Sequence, residues 1–135
     1  MQGILKNTCE YLSVLLILTL AIVACNGNGG DSESIGSGPG FVTPFGIAVE
    51  ADGSLVVVDL GLDAVVRVDQ VSGDRTIISD TSIGSGPGFE SPLGIAVEAD
   101  GSLVVVDTGL EALVRVDQVS GNRTIISDAG IGSGP

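Results

Sequence analysis

Residues 35–82 return almost unchanged as residues 83–130: 39 of the 48 positions are identical, and each copy begins with the hexapeptide IGSGPG. A third copy of the hexapeptide begins at Ile131 and reaches Pro135. Periods of about 20 to 50 residues are typical of solenoids, propellers and other repeat arrays. The chain is therefore expected to fold as a series of equivalent units, with one unit in each period.

Within each repeat, four short segments rich in β-branched residues alternate with turn sequences. Helical periodicity is absent from residues 26–135, and β-branched residues are typical of strands. In the first repeat the predicted strands cover residues 46–50, 54–59, 64–69 and 75–79. The dipeptide Asp52-Gly53 separates the first two and readily takes positive φ in a hairpin. The sequence therefore predicts an all-β fold in which each repeat is a four-stranded antiparallel meander.

A long connection without strand character, residues 80–93, joins the last strand of one repeat to the first strand of the next. Such a link fits a β-propeller, where the chain passes from the outer strand of one blade to the inner strand of the next. The passage crosses three strand spacings of ~4.8 Å, which about a dozen residues span easily. We expect Ile83 and Phe89 to fix this link to the blades. The small residues Gly46 and Ala48 suit a crowded inner strand.

The repeats define two complete blades and the start of a third. Repeat 1 covers residues 35–82, repeat 2 covers 83–130, and the start of repeat 3 covers 131–135. Propellers usually close a ring of about four to eight blades. We therefore expect the sequence to be a fragment of a longer propeller. The two alternatives are a ring built by several chains and an open-ended solenoid.

The N-terminal region has the pattern of an export signal. Lys6 precedes an apolar run over residues 12–24, which is too short to span a bilayer comfortably and suits a signal peptide. The run leads into the tetrapeptide IVAC, which ends at Cys25 and resembles the lipobox of bacterial lipoproteins. The resemblance implies a signal peptide at 1–24, lipidation of Cys25, and a flexible tether over 25–34.

The lipobox also predicts where the protein is located. Asn26, rather than an aspartate, follows Cys25. The resemblance to lipoproteins then implies export and anchoring in a membrane, in the outer membrane or at the cell surface. The alternative is an uncleaved N-terminal anchor helix.

Part of each repeat also resembles a known family. The run PFGIAVEADGSLVVVD, followed by RVD, resembles NHL-type repeats and the related SMP-30/gluconolactonase-like propellers. The matching positions, each with a copy 48 residues later, are Pro44, Gly46, Ile47, Ala48, Val49, Asp52, Gly53, Asp59, Arg67 and Asp69. The sequence departs from the NHL pattern in the longer turn between Asp59 and Arg67 and in its few aromatic residues. The resemblance implies propeller blades and leaves the function open.

Charge and composition exclude several functions. The formal net charge is −12, so a phosphate backbone is repelled and nucleic acid is not an expected partner. Residues 26–135 contain no His, Lys, Tyr, Trp, Met or Cys, which removes most nucleophiles and general bases that work near neutral pH. A zinc site of the His and Cys type is excluded as well. We therefore predict no catalytic residue.

Carboxylates supply the one candidate metal site. Asp59, Asp63, Asp107 and Glu111 lie in the turns between the second and third strands, which meet at one rim of a propeller. Calcium is bound by oxygen ligands alone, so this rim is a candidate site for a divalent cation. SMP-30-like lactonases, which the repeats resemble, hold a divalent metal with carboxylates and amides from different blades. The alternative is that Asp59 and Asp107 cap the turns by accepting backbone N–H groups.

Two further carboxylates lie close to arginines on the third strand of each repeat. Arg67 with Asp69, and Arg115 with Asp117, stand at i and i+2 on one strand face and are candidates for cross-strand ion pairs. Exposed pairs of this kind contribute little to stability.

The sequence favours a lipid-anchored, extracytoplasmic binding or scaffold module over an enzyme. One alternative is a fragment of a metal-dependent SMP-30/gluconolactonase-like hydrolase, and another is an open structural or adhesion array. Expected partners are the membrane and a protein or small-molecule ligand. Further blades or self-association would be needed to close a ring. No cofactor is expected apart from the candidate Ca²⁺ or other divalent cation.

Overall fold

The computed structural model describes residues 35–134, which contain eight strands and no helix. The first four are β1 (Pro44–Val49), β2 (Leu55–Asp59), β3 (Ala64–Val68) and β4 (Arg75–Ser79). The next four are β5 (Pro92–Val97), β6 (Leu103–Asp107), β7 (Ala112–Val116) and β8 (Arg123–Ser127). Across this part of the chain, no helix is long and apolar enough to cross a membrane.

The strands form two four-stranded antiparallel sheets, β1-β2-β3-β4 and β5-β6-β7-β8, in sequence order. The prediction of an all-β fold built from one meander per repeat is confirmed. The predicted strand bounds differ from the observed ones by at most two residues at an end. The largest difference is at β1, which begins at Pro44 because Pro44 pairs with Asp59 ahead of an irregularity that ends at Ile47.

The hairpin between β1 and β2 differs in one detail from the expected one. Positive φ falls on Gly53 alone, at 93°, while Asp52 keeps a negative φ. Asp52 instead accepts the N–H of Ser54 through its carboxylate at 2.8 Å. This local bond turns the chain at Asp52 without the left-handed backbone that a residue with a Cβ disfavours.

The two sheets pack face to face around one apolar core. The core includes Val56, Val58 and Val65 from the first sheet and Leu103, Val105 and Val114 from the second, all of them 0% exposed. At their inner edge β1 and β5 run against each other. A Cβ placed on Gly46 would lie 2.6 Å from the carbonyl oxygen of Leu93, so the two backbones touch. The expected crowding at the inner strand is confirmed.

The link between the sheets crosses the outer strand of the second sheet. The backbone N–H of Arg123, at the start of β8, donates to the carbonyl of Ser85 at 2.7 Å. Phe89 is 6% exposed and packs into the core, as expected, whereas Ile83 remains 39% exposed. A chain that leaves the outer strand of one sheet and enters the inner strand of the next defines two successive β-propeller blades.

Candidate functional site

The predicted rim carboxylates Asp59 and Asp107 are buried caps. Asp59 is 0% exposed and Asp107 is 1% exposed. Each accepts four backbone N–H groups, two from the turn that follows it and two from the segment that leads into the inner strand. The donors to Asp59 are Val42 at 2.8 Å, Thr43 at 2.8 Å, Gly61 at 2.9 Å and Leu62 at 3.1 Å. The donors to Asp107 are Glu90, Ser91, Gly109 and Leu110. Asp59 and Asp107 therefore cap the turns, as the alternative to a metal site predicted.

The other two rim residues, Asp63 and Glu111, occupy strained positions in the same turns. Their φ angles are 48° and 52°, in the left-handed region that residues with a Cβ disfavour. Within residues 35–134, no group of three or more His, Cys, Asp or Glu side chains is placed to hold a metal ion. A divalent cation at Asp59, Asp63, Asp107 and Glu111 stays a prediction.

The opposite end of the blades carries a polar cleft of about 460 Å³ between the two hairpins. Arg67, on β3, makes a two-bond ion pair with Glu50, at 2.5 Å from Nε and 2.6 Å from the terminal nitrogen. The same terminal nitrogen also donates to the side-chain oxygen of Gln118 in the second blade at 2.9 Å. Both blades thus contribute polar groups to the cleft, which is lined by Glu50, Ala51, Asp52, Arg67, Val97, Glu98, Ala99, Gly101 and Gln118.

The second repeat makes the equivalent ion pair in a more exposed setting. Arg115 Nε lies 2.6 Å from Glu98, and the exposed fractions of the two side chains are 45% and 33%, against 33% and 7% for Arg67 and Glu50. The hydrogen bond from Arg115 holds the pKa of Glu98 below its usual value. The hydrogen bond to Glu50 raises the pKa of Arg67. Charged groups from both ion pairs, Glu50, Arg67 and Glu98, therefore line the cleft.

The expected cross-strand ion pairs form at the two arginines, Arg67 and Arg115, but not at Asp69 and Asp117. Asp69 does not pair with Arg67, because its carboxylate accepts the N–H groups of Val71 and Ser72, each at 2.8 Å, in the turn before β4. These bonds hold the pKa of Asp69 below its usual value. In the second repeat, Asp117 caps the equivalent turn in the same way.

A third polar arrangement lies at the outer end of the blade boundary. Arg123 is 5% exposed, and one terminal nitrogen donates to Ser79 Oγ at 2.6 Å and to the carbonyls of Asp80 at 2.6 Å and Ile83 at 3.0 Å. Its Nε donates to the carbonyl of Pro87 at 2.6 Å. The guanidinium also lies over the ring of Phe89, 5.6 Å from the centroid. Burial lowers the pKa of Arg123, although arginine remains charged.

Sequence reasoning missed both the Glu50–Arg67 pair and the role of Arg123. The sequence offered one signal for Arg123. Two of the four arginines in the chain, Arg75 and Arg123, stand at the same position of the repeat, directly after a turn. The predicted lipidation site Cys25, the signal peptide at 1–24 and the tether at 25–34 lie outside the described residues.

Comparison with known proteins gives a likeness of fold only. No protein-family model matches the chain, and no curated protein matches it. The chain is similar to virginiamycin B lyase from Staphylococcus aureus, with 14% identity over 62% of this chain and 26% of that one, at a TM-score of 0.49. It is also similar to the PQQ-bound aldose sugar dehydrogenase from Streptomyces coelicolor, with 23% identity over 68% and 31% of the two chains, at a TM-score of 0.48.

The chain thus spans between a quarter and a third of the length of these two structures. The strand order, the backbone contact between β1 and β5, and the outer-to-inner link define the blades.

Proposed function

We propose that the protein is a lipid-anchored, extracytoplasmic repeat protein of the NHL type, whose β-propeller blades act as a binding or scaffold module. The anchor is the acyl-modified Cys25, and residues 26–34 connect it to the first blade. The support for the anchor is the apolar run and the IVAC tetrapeptide in the sequence.

The observation that supports the scaffold role is that polar side chains within the blades bond the backbone of turns and links. The buried carboxylates of Asp59 and Asp107 accept four backbone N–H groups each. Arg123 is occupied by Ser79 and three backbone carbonyls. Among the described residues, no buried side-chain nitrogen or oxygen lacks a hydrogen-bond partner. Polar groups that hold turns and links together make rigid blades, and they favour recognition by surface over chemistry at a reactive centre.

The anchor is tested by expressing the full chain in a bacterium with an alkyne-tagged fatty acid and separating membrane from soluble fractions. We expect the native chain to carry the label and to sediment with membranes. Cys25→Ser should lose the label and remain unprocessed. Cys9→Ser is the matched control, because Cys9 lies in the segment to be removed, and it should behave as the native chain does. Equal labelling of the two variants would contradict the proposal.

A further inference from the structure

The two repeats have nearly the same sequence, yet equivalent positions differ in exposure. In the first blade, Val58, Val65 and Ser79 are each 0% exposed because the second blade covers them. Their counterparts 48 residues later are Val106, at 44%, Leu113, at 36%, and the exposed Ser127. We call the surface of the second blade that carries Gly94, Val106, Leu113 and Ser127 the trailing face. It repeats the surface that the first blade uses to bind the second.

The first blade shows the complementary difference. Its leading face is the surface that carries Phe41, Ile47, Gln70 and Arg75. The counterparts of these residues, which contact the preceding blade or its link, are Phe89, Ile95, Gln118 and Arg123. Phe41 is 40% exposed where Phe89 is 6% exposed, and Ile47 is 61% exposed. Gln70 is exposed, whereas its counterpart bonds Arg67 across the boundary.

We propose that the trailing face of one copy binds the leading face of a second copy, with the geometry of the boundary between the two blades. The proposal rests on the blade architecture within the proposed function and is independent of the lipid anchor. Each contact has a counterpart inside the chain. Arg75 of the second copy meets Ser127 as Arg123 meets Ser79, and Gly94 admits the backbone of β1 as Gly46 admits that of β5.

Such an interface is heterologous, because two different faces meet, and repetition of it gives a ring or an open filament. The apolar groups at its centre are those that already form the boundary inside one chain. Val106 and Leu113 supply the positions of Val58 and Val65, and Ile47 supplies that of Ile95. A second copy therefore offers the same residues as the internal boundary at these positions, except that Leu113 stands where the first blade has Val65.

The test is a mixing experiment on the full chain in detergent, read by native mass spectrometry. Leu113→Arg blocks the trailing face and Ile47→Arg blocks the leading face, and both positions are exposed, so neither substitution buries a charge in the fold. Val119→Arg is the control, because Val119 is 97% exposed in a turn outside both faces. Circular dichroism of each variant checks the β fold.

We expect the native chain and Val119→Arg to form oligomers and each blocked variant to be monomeric. An equimolar mixture of the two blocked variants should form dimers that contain one of each, because one open face of each kind remains. A native chain that stays monomeric would overturn the proposal and leave the faces to another occupant, such as further repeats. Single variants that still assemble would overturn it as well.

Gly94→Ala tests the register of the interface without a charge. A Cβ on Gly94 meets only the side chain of Val106, at 3.6 Å, so the blade itself has room for it. The equivalent Cβ on Gly46 would collide with the backbone of β5. Gly94→Ala should therefore keep the fold and weaken assembly by about tenfold or more. Unchanged assembly would overturn the proposed register.

Discussion

Ser79 and Arg123 meet across the boundary between the two blades, where the guanidinium donates to Ser79 Oγ at 2.6 Å. Both residues are buried, and Ser79 Oγ also donates to the carbonyl of Gly121 at 2.7 Å. The end of β4 is thus tied to the start of β8. This polar contact also holds the link between the blades, because Arg123 bonds the carbonyls of Asp80, Ile83 and Pro87.

Arg123→Ala should destabilise the protein much more than Arg75→Ala. The side chain of Arg123 is buried and donates to four groups, whereas that of Arg75 is partly exposed and, among residues 35–134, donates to the carbonyls of Pro39 and Ile35, at 2.7 and 3.3 Å. We expect a loss of about 2–3 kcal/mol for Arg123→Ala and less than about 1 kcal/mol for Arg75→Ala. Urea denaturation of the two variants at low protein concentration, with the chain monomeric, measures the difference. Equal losses would show that the contact across the boundary adds nothing.

Gly46→Ala should be far more damaging than Gly94→Ala, although both glycines occupy the same position of the repeat. The added methyl group would lie 2.6 Å from the carbonyl of Leu93 in the first case and 3.6 Å from Val106 in the second. We expect a cost of about 3 kcal/mol for Gly46→Ala, because two backbones must separate. Gly94→Ala should be neutral or stabilising by about 0.5 kcal/mol. Thermal denaturation at low protein concentration, with the chain monomeric, compares them.

Acid sensitivity should depend on Asp74. Its pKa is held below the usual value by the backbone N–H and then the hydroxyl of Ser37. A lowered folded-state pKa contributes stability that is present above the unfolded-state pKa and is lost as the pH falls through the folded-state pKa. The window therefore lies below about pH 4, near and beneath the ordinary pKa of aspartate.

The second repeat supplies the variant for this test. Asn122 occupies the position of Asp74 and accepts the same bonds from Ser85, at 2.8 and 2.9 Å. Asp74→Asn should therefore be nearly neutral at pH 7 and should reduce the loss of stability between pH 7 and pH 3. Asn122→Asp should increase that loss. The urea midpoints of the native chain and of both variants at pH 7 and pH 3 measure this loss of stability. An unchanged pH dependence in both variants would contradict the prediction.

Glu111→Gly should stabilise the protein slightly. Glu111 has a φ of 52°, which costs a residue with a Cβ about 1–2 kcal/mol, whereas glycine adds about 0.5–1 kcal/mol of unfolded-state entropy. The expected net gain is about 0.5 kcal/mol, measured as a rise in melting temperature. A fall in melting temperature would mean that the Glu111 side chain makes a stabilising contact.

The same variant tests the rim as a cation site. If Asp63 and Glu111 help to bind a divalent cation, calcium should raise the melting temperature of the native chain, and Glu111→Gly should reduce that rise by mass action. A native melting temperature that calcium does not change would remove the metal prediction. Magnesium at the same concentration controls for ionic strength.

The strands and the order of the sheets could be predicted because their signals are local and occur twice. Runs of valine mark β2 and β3, and turns that contain glycine separate the strands. The crowding at Gly46 could also be predicted, since only small residues fit where inner strands meet. Each of these inferences uses residues within one repeat.

The partners of the charged residues could not be predicted, because they depend on contacts distant in sequence. Glu50 and Arg67 are 17 residues apart and meet over β2, while the nearer Asp69 is engaged by its own turn. Arg123 and Ser79 are 44 residues apart and belong to different blades. Their repeat copies, Arg75 and Ser127, have nearly the same sequence context but do not meet each other within the described residues. Identity of sequence between repeats therefore concealed which copy is buried.

The most direct test of the blade packing is an NMR measurement of proton contacts between β1 and β5 in the full chain with labelled glycine. The close approach of Gly46 to Leu93, Gly94 and Ile95 predicts nuclear Overhauser contacts from the Gly46 α-protons to the backbone protons of Gly94 and Ile95. Their presence would establish that the repeats pack as successive blades. Their absence, with the contacts between β1 and β2 intact, would contradict it.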